Sequence, residues 1–358
     1  MRDATLDLRS GDTKRDVLIL HGRLIEQVID RGVTALFQKE IVVAPGPVPL
    51  AMVRKRCTGE RGGSRGPVLL VHGFGQNRYA WHLPSRSLVN HLAREGFDVY
   101  NLDLRGHGRS RSMGARLSHG VKDYIHEDLP IAVEEIQRHS GKKPVFLVGH
   151  SLGGLISYAA APRLNGAVAG IASIGSPYHF TRGSRSLGAL RIFFRAMSLA
   201  HVTPLNVPLF MTPWGIVMRQ TRRLAESPFY PIPLRGWHAG SLEPEVFEEH
   251  LRLAFDRGSI SELASLFEWA NARRFGGAES DFAERFEKMD VPLLVVAGAN
   301  DDLAPPASVR PAFARSASRD KTYRAVPLGH IDLLVGREAP KLTWDVVTEW
   351  LMARAPAA

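Results

Sequence analysis

The run Gly149-His150-Ser151-Leu152-Gly153, extended by Gly154, constrains this chain more than any other stretch. An apolar tetrad, Val145-Phe146-Leu147-Val148, precedes it directly, and a segment rich in small residues, Leu155 to Ala161, follows. The first pattern predicts a buried strand and the second a helix, so the serine falls on a tight strand-to-helix turn. Such a turn strains the serine backbone and leaves space only for tiny neighbours two residues away, here Gly149 and Gly153. The hydroxyl then stands at the carboxyl edge of a sheet, with a helix N-terminus pointing partial positive charge at it. Ser151 is therefore the candidate nucleophile. The competing reading is a glycine-rich turn with an idle serine.

Strand and helix signals alternate around this turn. Ile41 to Val43 and Leu50 to Arg56 flank Pro45-Gly46-Pro47 and predict an antiparallel pair. Val68 to Val71, Asp98 to Leu102, Val145 to Val148 and Ile171 to Ile174 predict further strands. Helical apolar spacing appears over Trp81 to Glu95, Lys122 to Arg138 and Leu152 to Ala161. This alternation predicts an α/β protein with a mostly parallel central sheet covered by helices on both faces. It stops at Pro177. Helical patterns then occupy Leu187 to Leu199, Pro244 to Asp256 and Ser261 to Ala272, and no clear strand returns before Val291 to Ala297. Thr322 to Val326 is a last strand, and Ala339 to Met352 a last helix.

The expected organisation is a leader over 1–40, a first core part over 41–176, an inserted helical cap over 177–289 and a second core part over 290–358. In the leader, Val17, Leu18, Ile25, Val28 and Ile29 have the spacing of a short amphipathic helix.

A serine nucleophile needs N–H donors, a base and an acid. Strand Val68 to Val71 ends in His72-Gly73-Phe74-Gly75-Gln76, where glycine lets the backbone approach a substrate. The expected oxyanion donors are the N–H groups of Phe74 and of Leu152, the residue after the nucleophile. Leu293 to Ala297 leads into Gly298-Ala299-Asn300-Asp301-Asp302, and Thr322 to Val326 leads into Pro327-Leu328-Gly329-His330. His330 is the expected base and Asp301 the expected acid, with Asp302 as the alternative. His72 and Asp332 read as structural.

These residues together resemble the α/β-hydrolase superfamily from about Ile41 to the last helix. The likeness includes His72-Gly73-Phe74-Gly75, Asp103-Leu104-Arg105-Gly106-His107-Gly108-Arg109-Ser110, the turn at Ser151, the Asp301 loop and His330. It implies an α/β-hydrolase fold with the nucleophile, acid and base in that chain order. Within that family the Asp103 to Ser110 run is usually structural. Asp123 to Pro130 and Gly329 to Gly336 also resemble stretches of acid-lipase and polyhydroxyalkanoate-synthase relatives. Those synthases generally use cysteine as nucleophile, so Ser151 favours hydrolysis over polymerisation.

The resemblance implies a serine esterase or lipase-like enzyme that needs no cofactor and no metal, acting on a small-molecule ester or lipid. Acyl transfer by the same triad and a non-catalytic binding protein are the alternatives. Aspartate would be expected at position 151 in a haloalkane dehalogenase or epoxide hydrolase, so Ser151 argues against both.

The net charge of +10 favours acidic partners, but no basic run has the aromatic interleaving of a nucleic-acid module. The cap holds Phe193, Phe194, Phe210, Trp214, Phe229, Tyr230 and Trp237 among arginines 182, 185, 191, 195, 219, 222 and 223. One reading is a lid over an apolar acyl pocket, with basic residues toward an anionic head group or membrane surface. The other is a small helical core with a solvated face. A single cysteine, Cys57, excludes an intrachain disulfide and is expected to be a buried thiol. The charged N-terminus lacks the apolar run of a signal peptide, so a cytoplasmic location is expected. Ala196 to Met218 carries no Asp, Glu, Lys or Arg, but Pro204, Pro208, Pro213 and Gly215 interrupt it, so it predicts a buried or interfacial segment.

Overall fold

The computed structural model describes residues 18–58, 65–164, 166–199, 207–220 and 236–356. Its strands are β1 (Leu18–Asp30), β2 (Val33–Ala44), β3 (Leu50–Cys57), β4 (Pro67–Val71), β5 (Asp98–Asp103), β6 (Val145–His150), β7 (Val168–Ile174), β8 (Pro208–Phe210), β9 (Arg257–Ser259), β10 (Leu293–Gly298) and β11 (Lys321–Val326). Nine of them form one sheet in the order β1-β2-β3-β5-β4-β6-β7-β10-β11. The six strands from β5 to β11 are parallel, and β1, β2 and β3 join them as antiparallel neighbours.

Every residue of β4 and of β6 is buried, as expected for parallel strands covered on both faces. Alternation along the strand divides their side chains between two layers. Val68 and Leu70 pack with Phe146 and Val148 on one face, while Leu69 and Val71 pack with Leu147 on the other. Each fully buried aliphatic side chain contributes roughly 1.5–3 kcal/mol. The chain leaves β4 to one side to form β5 and crosses to its other side to form β6. The carboxyl ends of β4 and β6 therefore flank a topological switch point, where open α/β sheets have their crevice.

Most elements fall where the sequence pattern places them. The helix expected over Lys122 to Arg138 runs from Val121 to Ser140, with a π turn over Tyr124–Asp128. Gly141, in the left-handed conformation, ends it. Between β7 and β10 lie the helices Arg185–Leu199, Thr212–Gln220, Pro244–Leu253, Ile260–Ala272 and Phe282–Lys288. Phe194 stacks on Phe267 at 4.6 Å and Trp237 packs on Phe247 at 4.7 Å, which gives this insertion its own apolar contacts. Among the described residues, no helix is long and apolar enough to cross a membrane.

Four expectations are corrected. Leu18, Ile25, Val28 and Ile29 lie in β1, paired with β2, not in an amphipathic helix; Val17 lies outside the described residues. Register shifts between Leu20 and Arg23 and between Val28 and Asp30 disturb the two-residue alternation, which is why the apolar spacing imitates a helix. The helix expected from Trp81 covers only Leu88–Arg94, because the 3-10 turn Arg78–Ala80 and the bridge between His82 and Ser87 take up the chain before it. The insertion contains the short antiparallel pair β8–β9, which its length hides from a periodicity reading. Cys57 ends β3 half-buried, not enclosed.

Arg86 joins three parts of the molecule from a buried position. It donates to Asp30 at the end of β1 at 2.8 Å, to Glu243 before the helix Pro244–Leu253 at 3.0 and 3.1 Å, and to the carbonyls of Val335 and Gly336 at 3.0 and 3.1 Å. Arg86→Ala leaves the buried Glu243 without its main cation and is expected to cost roughly 3 kcal/mol in urea unfolding. A loss below about 1 kcal/mol would show that the cluster acts only as a surface ion pair.

Candidate active site

Ser151 caps the helix Leu152–Ala160 with φ 52° and ψ −117°, a backbone conformation that is costly for any residue with a Cβ. Its N–H donates to the Ile174 carbonyl at 3.0 Å, tying the turn to β7. A Cβ at Gly149 would meet the backbone of Gly153 and Gly154, and one at Gly153 would overlap the Val71 carbonyl. The small residues therefore let the helix sit directly against β4. Gly73 is needed for the same reason, since a Cβ there would lie 3.2 Å from the Ser151 Cβ and 3.3 Å from His150 Nδ1.

The loop after β4 is a tight turn. Gln76 N donates to the Gly73 carbonyl at 3.4 Å, the Gln76 side-chain oxygen accepts from Gly73 N at 3.2 Å, and Gly75 takes φ +65°. Phe74 and Leu152 line the same cavity as Ser151. Leu152 is the first residue of its helix, so its N–H has no acceptor within the helix.

His72 is fully buried, with both ring nitrogens committed. Leu104 N donates to Nε2 at 3.1 Å, which leaves Nδ1 to donate to the Gly73 carbonyl at 2.9 Å. Burial lowers its pKa and favours the neutral ring. The Asp103 loop is structural too. The Asp103 carboxylate accepts from the backbone of Arg78 and Arg109 and pairs with the Arg78 guanidinium at 2.7 Å.

Across the carboxyl edge, His330 Nδ1 lies 2.6 Å from Asp301 Oδ2. The other Asp301 oxygen accepts from Leu303 N at 2.9 Å and Ala304 N at 2.7 Å, so the carboxylate is held from both sides. Asp302 is exposed, whereas Asp301 is buried against the imidazole. His330 lines the cavity that Ser151 lines. Asp332, as expected, shapes the loop. One of its oxygens accepts from Gly329 N at 2.9 Å and His238 N at 2.7 Å, while burial raises its pKa. His150 donates from Nε2 to the His330 carbonyl at 3.1 Å. Burial, and then the neighbouring His330, hold its pKa well below the ordinary imidazole range.

The cavity holds about 390 Å³. Phe180, Met211, Met218, Trp237, Phe255 and Leu266 provide much of its apolar wall. Of the aromatics expected in the insertion, Trp237 lines this cavity, Phe194 packs on Phe267, and Phe193 and Phe210 are exposed. The side chain of Trp214 and residues Phe229 and Tyr230 lie outside what is described, as do the side chains of Arg185, Arg219, Arg222 and Arg223. Arg191 is half-buried, and Arg182 and Arg195 are exposed.

Sequence reasoning missed Asp256. This buried carboxylate accepts from Gly108 N at 2.8 Å and Asn77 Nδ2 at 3.3 Å, and it pairs with Arg111. Its own N–H donates to the Gly75 carbonyl at 2.8 Å, and Asn77 N donates to Ala254 O at 3.0 Å. The insertion thus grips the loop that carries Phe74. A lone Asp at the end of a helical pattern gave no signal, because its partners lie about 150 residues away in the chain.

The chain has the α/β-hydrolase fold, and residues 66–197 match the family model for the alpha/beta hydrolase fold. It is similar to the monoacylglycerol lipase of Mycolicibacterium smegmatis, 26% identical over 81% of this chain and 89% of that protein. It is also similar to the poly(3-hydroxyalkanoate) polymerase subunit of Haloferax mediterranei, 22% identical over 81% of this chain and 59% of that protein, so it spans well under two thirds of that relative. Among solved structures, the Paleococcus ferrophilus monoacylglycerol lipase superposes with a TM-score of 0.58 at 21% identity, covering 85% of this chain and 99% of that one. A soluble variant of the Saccharomyces cerevisiae monoglyceride lipase superposes with a TM-score of 0.59 at 17% identity, covering 87% and 94%.

The Asp256 carboxyl carries a pH signature. Burial alone would raise its pKa, but the Gly108 N–H and Arg111 outweigh burial and hold it below the ordinary 3.8. A depressed folded-state pKa gives stability that is present above the unfolded value and lost as pH falls through the folded one. Asp256→Asn is therefore expected to be less stable than wild type from pH 7 down to about 4, with the gap closing at lower pH in urea titrations. A gap independent of pH would show that the charge contributes nothing.

Proposed function

We propose that this chain is a serine hydrolase of carboxylic esters with an apolar acyl portion. The observation that carries the reading is the Asp301–His330 hydrogen bond of 2.6 Å, on loops bordering the cavity that Ser151 also lines. His330 takes the Ser151 proton on Nε2 as the hydroxyl oxygen attacks the ester carbonyl. Asp301 fixes the tautomer with the proton on Nδ1 and stabilises the imidazolium that forms. The N–H groups of Phe74 and Leu152 receive the developing oxyanion, each contributing about 3 kcal/mol to lowering the barrier. His330 returns the proton to the leaving alkoxide. It then takes a proton from water as the water attacks the acyl-enzyme, and Ser151 is regenerated.

The apolar wall of Phe180, Met211, Met218 and Leu266 supports an acyl chain as the buried part of the substrate. Lipase names among the relatives support the same class. In this reading the insertion between β7 and β10 is a cap that shapes the acyl pocket. Its Ile192, Phe193, Phe210 and Ile216 are exposed apolar side chains that suit contact with a lipid surface.

A fluorophosphonate probe is expected to label the wild type and not Ser151→Ala. Ser151→Ala and His330→Ala are each expected to lower kcat for p-nitrophenyl esters by about 10⁴-fold or more, and the double variant is expected to fall no further. Unlabelled, inactive wild type would overturn the reading. With rising acyl length, kcat/KM is expected to climb by up to about fourfold per methylene until the cavity is full. A flat profile from acetate to laurate would remove the acyl pocket from the proposal.

A further inference from the structure

A second cavity, of about 410 Å³, adjoins the first. Leu155 and Phe180 line both, so two side chains form their common wall. Leu155 lies one helical turn beyond Ser151, about 6 Å along the axis. The two cavities therefore lie side by side within about one helical turn of Ser151.

The two differ in chemistry. The second is bordered by Arg182, Arg191, Arg273 and Arg274, with His179, and among the described residues no Asp or Glu lines it, although Arg273 and Arg274 also border an adjacent cavity lined by Glu284 and Glu287. Among the described residues, none of these four guanidiniums has a carboxylate within salt-bridge distance, whereas Arg315 nearby is paired with Glu287 at 2.7 Å. The Arg274 guanidinium donates to the Ala278 carbonyl at 3.3 Å. Of the four, Arg182 acts on the neighbouring His179, beside the larger effect of Arg315, which lies outside this cavity. Burial, then Arg315 and Arg182, lowers the pKa of His179. A concave surface carrying one sign of charge concentrates counter-ions of the other.

The backbone adds a second, independent observation. Among the described residues, four non-glycines have positive φ: Lys142, Ser151, Thr181 and Arg273. Lys142 directly follows a helix C-cap and Ser151 is the candidate nucleophile. The other two line this cavity, at φ 71° and 52°. Arg273 ends the helix Ile260–Ala272 in the left-handed conformation, where glycine is the unstrained choice, and an arginine lines the cavity there instead.

We propose that this cavity binds a phosphate-type anionic group carried by the substrate, whose ester carbonyl sits at Ser151. The assignment rests on the ester-hydrolase reading and narrows its substrate to acyl esters bearing a phosphate or diphosphate. Several forked guanidinium donors around one groove suit the many oxygens of such a group better than a single carboxylate.

Binding is tested apart from catalysis. Sodium pyrophosphate titrated calorimetrically into the Ser151→Ala protein is expected to bind one to one. It should bind about tenfold or more weakly when Arg191→Gln and Arg274→Gln are added, and similarly with Arg182→Gln and Arg274→Gln, each protein showing the same thermal transition as its parent. No binding at millimolar pyrophosphate, equal affinity in all proteins, or tighter binding of succinate overturns the proposal. The link to the substrate is tested with 1-lauroylglycerol and 1-lauroylglycerol 3-phosphate, which differ only by the phosphate. Wild type is expected to prefer the phosphate ester. The ratio of kcat/KM between the two is expected to fall about tenfold in the arginine variants, through KM. A ratio that does not move overturns the assignment to the substrate. Wild type inactive on both esters would overturn the hydrolase reading and with it the substrate assignment, while the pyrophosphate titration still decides whether the cavity is an anion site.

Discussion

The strained backbone at Ser151 is the constraint on which the rest of the site depends. A residue with φ 52° and ψ −117° persists only where its surroundings over-determine it. Here they do so on three sides. The helix N-terminus presses against the Val71 carbonyl through Gly153, Gly149 is in contact with the start of the same helix, and the serine N–H is bonded to Ile174. Each contact needs a fully formed parallel sheet behind it. The buried layers around β4 and β6 thus act on chemistry by fixing one dihedral pair.

The remaining groups are held by a different device, in which loops are tied down by buried carboxylates. Asp301 accepts two backbone N–H groups before it meets His330. Asp332 accepts two more and closes the His330 loop on Gly329 and His238. Asp103 and Asp256 do the same beside the Phe74 loop. A buried carboxylate left unpaired is costly, so these acids and their donors specify one another. Asp256 and Asp332 each bond across to or from the insertion between β7 and β10, so the same contacts that position the site also join that insertion to the sheet.

Two cavities with unlike walls meet at Leu155 and Phe180. Apolar area accepts a chain without specifying it, because burial is non-directional. Charged forks discriminate by geometry. The chain's net charge of +10 thereby acquires a local meaning, since four of its arginines border one groove rather than merely solvating a surface.

The catalytic edge was legible because its signals are local. The strand, the turn glycines and the helix around Ser151 occupy one contiguous run, and the Asp301 and His330 loops each follow an apolar strand. Asp301 and Asp302 are adjacent loop positions that differ only in direction, which the fold sets by burying the first and exposing the second. What the sequence could not show depends on partners distant in the chain. The bulges of β1 disturb its alternation into a helix-like spacing, and only pairing with β2 declares it a strand. Asp256, Arg86 and the grouping of Arg182 with Arg273 rest on contacts between segments far apart in sequence. By itself, then, the sequence determined the class of fold and pointed to Ser151, Asp301 and His330 as candidates, because the turn and loops that carry them follow from short-range backbone sterics. Only the tertiary structure decided which carboxylates hold the loops and what surrounds Ser151, because burial and charge neutralisation belong to the packed chain and not to any one stretch of it.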